Sequence, residues 1–90
     1  MMRYSFTQRF LRQLDSFPVP VRKKFNKQFL FLLDNLKYPS LRAKKYDESK
    51  GVWQMRVDKS VRCYFAIRGD EYIFWTFVST PTKFGSRTPK

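Results

Sequence analysis

The sequence predicts an α+β domain in which an N-terminal strand and two helices pack on one side of a mainly antiparallel sheet of about four strands. Three observations predict it. Val52–Val57 and Val61–Arg68 alternate apolar and polar residues around a short polar turn, Asp58-Lys59-Ser60, as a half-buried hairpin does. Upstream, Phe10, Leu11 and Leu14, and then Val21, Phe25, Phe29, Leu32 and Leu36, recur at helical intervals. The order is strand, two helices and then strands. There is no repeat and no linker long enough to divide the chain, so residues 1–90 read as one domain.

Met2 to Phe6 alternates and reads as a short strand. Thr7 suits the N-cap of a first helix, because its oxygen can take a backbone N–H that the first turn leaves unpaired. Phe17-Pro18-Val19-Pro20 ends that helix, since proline has no N–H and clashes in a helix interior. Pro20 fits the first turn of a second helix reaching about Leu36, whose Phe/Leu stripe is core and whose other face carries Arg22, Lys23, Asn26 and Lys27. Lys37-Tyr38-Pro39-Ser40 closes it, because the residue before a proline is pushed out of helical geometry. Leu41 to Tyr46 is a basic loop entering an edge strand, and Asp47-Glu48-Ser49-Lys50-Gly51 is a turn.

On the hairpin, alternation puts Trp53, Met55 and Val57 on one face with Val61, Cys63, Phe65 and Ile67. Gln54 and Arg56 take the other face with Arg62, Tyr64 and Arg68. Gly69-Asp70 makes a second hairpin turn. Glu71 to Ser79 is almost wholly apolar and is expected to be central or covered on both faces, with Trp53 and Trp75 in the core. The end of the chain, from Lys83 through the tail 84–90 with its Gly85 and Pro89, is expected to be mobile.

An apolar fraction of 42%, with ten Phe, is enough for a packed core and excludes a disordered basic tail. Nineteen Lys and Arg against seven Asp and Glu give a formal charge of +12, so most cations have no acidic neighbour and the surface favours a polyanion. The absence of histidine removes histidine-ligated metal sites, Ser-His-Asp triads and a histidine acid–base pair. Cys63 stands alone on an apolar strand face, so it is a small buried residue rather than a disulfide partner or nucleophile. No apolar run approaches the roughly 18 residues of a membrane span. The N-terminus lacks the apolar stretch of a signal peptide, and a cytoplasmic location is expected.

The cations fall into three sets: Arg22, Lys23, Lys24 and Lys27 on the second helix, Arg42, Lys44 and Lys45 in the middle loop, and Arg56 and Arg62 on the sheet. A charged helix face is ordinarily just solvated. A guanidinium projecting from a regular strand is held in place and can give two hydrogen bonds to one phosphate, so the sheet pair is the strongest signal. Tyr64 shares its face and offers a ring for a base to stack on. Such a surface can cleave RNA through the RNA's own 2′-hydroxyl if it fixes in-line geometry and stabilises charge at the pentacoordinate phosphorus. Lys44 and Lys45, if they lower each other's pKa, would supply the base. Composition does not separate such a nuclease from a passive nucleic-acid binder.

Tyr38-Pro39-Ser40-Leu41-Arg42-Ala43-Lys44-Lys45, followed by Trp53-Gln54-Met55-Arg56-Val57 and Val61-Arg62-Cys63-Tyr64, resembles the RelE/ParE toxin superfamily over about residues 2 to 83. In that family a basic segment after a "PSL" turn precedes a strand ending in a cation, and a "YR-x-x-Y" type strand follows. The resemblance implies the toxin of a type II toxin–antitoxin pair, acting as a metal-independent, ribosome-dependent endoribonuclease on mRNA. Its implied partners are a cognate, acidic antitoxin, the mRNA and the ribosome, with no cofactor and no membrane. Carried over by motif, Arg62 stabilises the cleaved phosphate, Arg56 closes the preceding strand, and Lys44 and Lys45 lie in the basic segment. Lys83 stands in the C-terminal stretch where the family commonly offers His or Arg. Arg42, Gln54, Tyr64 and Lys59 would hold the nucleic acid around them. The chain departs from the pattern at Gln54, where a second lysine is usual, and at Val61, where an aromatic is usual. The alternatives are a ParE-like, gyrase-targeting protein or a catalytically inactive RNA- or partner-binding member of the same fold.

Overall fold

Strand β1 (Arg3–Phe6) runs straight into Thr7, and that residue fixes how the first helix meets the sheet. The computed structural model describes residues 2–79. The Thr7 Oγ1 accepts the Phe10 N–H at 3.1 Å, the cap read from the sequence, and donates to the Trp75 carbonyl at 3.1 Å. Helix α1 (Gln8–Ser16) is thereby tied to strand β5 (Glu71–Ser79) and buries Phe10 completely. Pro18 caps helix α2 (Val19–Asp34), and Pro20 lies in its first turn. The helix buries Phe25, Gln28 and Leu32, residues that share one side of a helix. It ends before the expected Leu36, because Asn35 turns extended and its Oδ1 takes the Lys37 N–H at 2.9 Å. Tyr38 then stacks on Phe31, with ring centroids 4.0 Å apart.

The chain returns through a 3₁₀ turn, Pro39–Leu41, which seats Leu41 in the core. The remaining strands are β2 (Lys44–Asp47), β3 (Val52–Arg56) and β4 (Val61–Arg68). The sheet has five strands in the order β1-β5-β4-β3-β2, with β1 parallel to β5 and the other pairs antiparallel. The edge strand that the basic stretch was expected to enter is β2, which pairs with β3 and brings the sheet to five strands. Gly51 and Gly69 both adopt positive φ, +65° and +60°, where the chain reverses into β3 and into β5.

The hairpin faces sort as the alternation predicted. Met55, Cys63 and Phe65 are fully buried beneath the helices, and Gln54, Arg56, Arg62 and Tyr64 lie on the other side. Phe6, Phe10, Phe25, Phe29, Phe74 and Phe77 form one connected mesh of rings, with Phe10 and Phe77 stacked at 4.2 Å. The expectation for β5 is met in its first alternative, and the core placement of Trp75 is not. β5 is central, but it is covered on one face only: Trp75 is 47% exposed and Val78 40%. The reason is a register shift opposite Tyr64 and Phe65, where Phe65 pairs with Phe74 and Tyr64 with Thr76. Trp75 is the extra residue of this bulge and leaves the core side. Trp53, by contrast, is partly buried and packs on the core.

Two outcomes follow from this packing. Phe10→Ala should lower unfolding free energy by about 3–5 kcal/mol, read as a shifted urea midpoint with unchanged slope. Burial raises the Cys63 thiol pKa well above its ordinary value. Native protein should therefore resist thiol-labelling reagent at neutral pH and react only as fast as it unfolds.

Candidate functional site

Both helices use the same face of the sheet, so among the described residues the opposite face is open, and its chemistry is set by cross-strand register. Arg56 and Arg62 are direct partners, Gln54 faces Tyr64, and Lys44 faces Gln54. Like charges set directly opposite each other destabilise a sheet. Neither arginine forms an ion pair with a carboxylate among the described residues. The nearest acid in sequence, Asp58, is paired with Lys24 at 3.5 Å. The Arg62 guanidinium is held by backbone instead: its Nη1 donates to the carbonyls of Asp58 at 2.7 Å, Val61 at 3.2 Å and Lys59 at 3.3 Å. That fixes the group on the β3–β4 turn without neutralising its charge.

Arg56 is positioned from behind. Gln28, only 8% exposed in the middle of α2, donates from Nε2 to the Arg56 carbonyl at 2.8 Å and to the Ser40 carbonyl at 2.9 Å. Its Oε1 accepts the Ser40 hydroxyl at 3.0 Å. One buried amide therefore clamps the 3₁₀ turn and the end of β3 to the helix. Just past the turn, Arg42 takes a left-handed backbone conformation, φ +47°. That conformation is uncommon for a residue with a side chain and occurs often at functional sites.

These elements enclose a cavity of about 210 Å³ lined by Arg42, Lys44, Gln54, Arg56 and Arg62: four cations and no carboxylate. A second cavity, of about 480 Å³, shares Arg42 and Arg56 with it and opens between α2 and the β3–β4 turn, where Lys24, Asp58 and Lys59 stand. An unneutralised cluster fixed on rigid strands is what a phosphodiester requires of a protein surface.

Not every expected residue joins it. Lys44 lines the smaller cavity, but Lys45 pairs with Trp53 and so emerges on the opposite face of β2. Its Nζ lies 3.8 Å from the Glu48 carboxylate and 6.0 Å from the Trp53 ring centroid. The two lysines therefore stand on opposite faces of β2 rather than side by side, because neighbours on a strand point apart. Lys59 lines the larger cavity only. The Tyr64 hydroxyl accepts a hydrogen bond from Gln54 Nε2 at 3.0 Å, and its ring meets Tyr46 edge-on at 4.7 Å. Lys83 and the tail 84–90 lie outside the described residues. Gln28 and Ser40 escaped the sequence reading, although a glutamine spaced between Phe25 and Leu32 on an apolar helix face was a visible signal. Among the described residues no group of three or more His, Cys, Asp or Glu could hold a metal ion. No described helix is long and apolar enough to cross a membrane.

Comparison with solved structures decides the fold. The chain superposes on the isolated E. coli RelE toxin with a TM-score of 0.72, covering 93% of this chain and 89% of that one at 10% identity. It has the RelE/ParE toxin fold. A chain of the YoeB–YefM complex from Staphylococcus aureus matches with a TM-score of 0.73, covering 90% and 99% at 12% identity. The YoeB/ParE toxin from Agrobacterium tumefaciens matches at 0.71, covering 89% and 100% at 10% identity. No family model and no curated protein matches the chain. The RelE-like fold anticipated from the motifs is therefore present, at identities that speak for fold alone.

Within this RelE-like frame, Gln28→Ala should leave two part-buried backbone carbonyls and the Ser40 hydroxyl without this partner. A stability loss of about 1–3 kcal/mol in urea denaturation is expected. Ser40→Ala, which removes one bond and leaves both carbonyls satisfied, should cost less.

Proposed function

We propose that this protein is the toxin of a toxin–antitoxin pair and that it cleaves mRNA at the ribosome without a metal ion. The observation that carries the reading is the carboxylate-free cavity formed by Arg42, Lys44, Arg56 and Arg62 on the open face of a RelE-like sheet. RNA supplies its own nucleophile, the 2′-hydroxyl beside the scissile phosphate. Its attack on phosphorus forms a cyclic phosphate and expels the 5′-oxygen of the next nucleotide. The protein has to hold the chain in line and stabilise the extra negative charge at the pentacoordinate phosphorus. Arg56 and Arg62, directly opposite each other, are suited to the non-bridging oxygens. Lys44 is the lysine of the cavity and the candidate to move the 2′-hydroxyl proton.

The partner that would silence such a surface is an antitoxin. Several structures with this fold are toxin–antitoxin complexes, among them E. coli RelBE and S. aureus YoeB–YefM. A chain of charge +12 would favour an acidic segment in its own antitoxin. Co-expression with the neighbouring reading frame should yield a stable complex if that frame encodes a small acidic protein.

A second reading keeps the fold and the partner but not the cleavage. Gln54, standing where the family often has lysine, is engaged with the Tyr64 hydroxyl, and Arg62 is engaged with turn carbonyls. A protein so arranged would bind its target without cutting it, or act on gyrase as ParE-like toxins do. Translating ribosomes programmed with a defined mRNA separate these readings. Cleavage by wild-type protein is expected, with Arg62→Ala and Arg56→Ala each reducing the rate by about 10²–10³-fold while the circular-dichroism spectrum stays unchanged. Intact mRNA with the wild-type protein would reject the nuclease. Growth arrest with DNA-damage signalling and unchanged mRNA would favour the gyrase reading.

A further inference from the structure

The open sheet face does not end at the arginine cluster. Further along β3, β4 and β5, a cleft of about 220 Å³ is lined by Val52, Ala66, Ile73 and Trp75, with Lys50 and Arg68 at its rim. Trp75 is placed there by the β5 bulge, and at 47% exposure it holds a large ring in water on a rigid strand. Neither Lys50 nor Arg68 forms an ion pair among the described residues. Ala66 is four residues from Arg62 along β4, which puts the cleft about 13 Å from the arginine cluster at the rise of an extended strand. Tyr64 lies between them, braced by Gln54 and Tyr46. Along one face the sheet therefore presents cations, then an aromatic, then an aromatic cleft with a cationic rim.

We propose that this cleft is a second nucleotide subsite, in which a base stacks on Trp75 while its flanking phosphates are drawn to Lys50 and Arg68. The proposal deepens the ribonuclease reading and rests on it: the same single strand that meets Arg56 and Arg62 runs over Tyr64 and reaches Trp75 a few nucleotides away. Alternating aromatic platforms and cations along a groove is how proteins hold single-stranded nucleic acid without reading its sequence. A peptide is the less suitable occupant. The backbone of the central strands is already paired within the sheet, so an extended peptide could not add a strand there. The rim cations, with Lys50 sharing the field of Asp47 and Arg68 standing opposite Glu71 but neither in a close ion pair, remain available to phosphate.

The test uses a short single-stranded oligonucleotide, 2′-O-methylated throughout so that its own hydroxyl cannot attack, and a dinucleotide that reaches only the arginine cluster. Binding is followed by fluorescence anisotropy and by the indole N–H resonances of the two tryptophans. Trp75→Ala should weaken the oligonucleotide by roughly tenfold or more and leave the dinucleotide unchanged, while Trp75→Phe, which keeps a ring, should retain most of the affinity. Lys50→Gln with Arg68→Gln should flatten the salt dependence of oligonucleotide binding. If Arg62→Ala abolishes oligonucleotide binding but Trp75→Ala has no effect, the second subsite is wrong while the arginine cluster keeps its phosphate-binding role, and cleavage is still decided by the ribosome assay. If wild-type protein binds neither ligand, the second subsite is overturned, and the ribonuclease reading is judged separately by cleavage on programmed ribosomes. If Trp75→Ala instead breaks only a complex with a co-expressed antitoxin and leaves oligonucleotide binding intact, the cleft is a protein-docking surface and the proposal is overturned.

Discussion

Everything on the open face depends on the sheet being packed from one side only. Alternation along a strand sends neighbouring side chains to opposite faces, so burying Met55, Cys63 and Phe65 under the helices commits Gln54, Arg56, Arg62 and Tyr64 to the exposed side. The aromatic mesh around Phe10, Phe74 and Phe77 supplies the hydrophobic free energy that sustains this commitment. A single slip in register would move the arginines into the core, where unpaired guanidinium groups are prohibitive. The site's geometry is thus a by-product of the core's.

Electrostatics work against the same arrangement. With +12 on 90 residues, acids are scarce, and those that form ion pairs among the described residues take cations other than Arg56 and Arg62. Asp70 takes Arg3 at 3.0 Å, which lowers the Asp70 pKa, Glu48 takes Lys45, and Asp58 takes Lys24. The pairs tie β1 to the β4–β5 turn, fasten the end of β2, and link α2 to the β3–β4 turn. The cations of the groove are left to backbone and solvent, with Arg62 resting on turn carbonyls and Arg56 carried on a strand end that Gln28 holds. Such a cluster repels itself in the absence of an anion, so some of the affinity for a phosphate chain is relief of that repulsion.

Much of the local structure was legible in the sequence. Thr7 as a cap, the prolines between the helices, the two faces of the hairpin and the Gly69 turn each follow from local chemistry and appear where local chemistry puts them. What was misread needed a partner strand to be read at all. Lys44 and Lys45 look like neighbours until β2 pairs with β3 and sends them apart. Trp75 looks like core until the bulge opposite Tyr64 turns it outward.

The chain's order of elements, its helix limits to within a residue or two, its cationic character and the shared sheet face of arginines 56 and 62 were determined by sequence alone, because periodicity, capping and charge are properties of short stretches. Tertiary structure alone decided that Gln28 braces the arginine cluster, that Lys45 leaves it and that Trp75 opens a cleft. Each of those depends on which strand lies beside which, and in what register, and those are relations between distant segments of the chain.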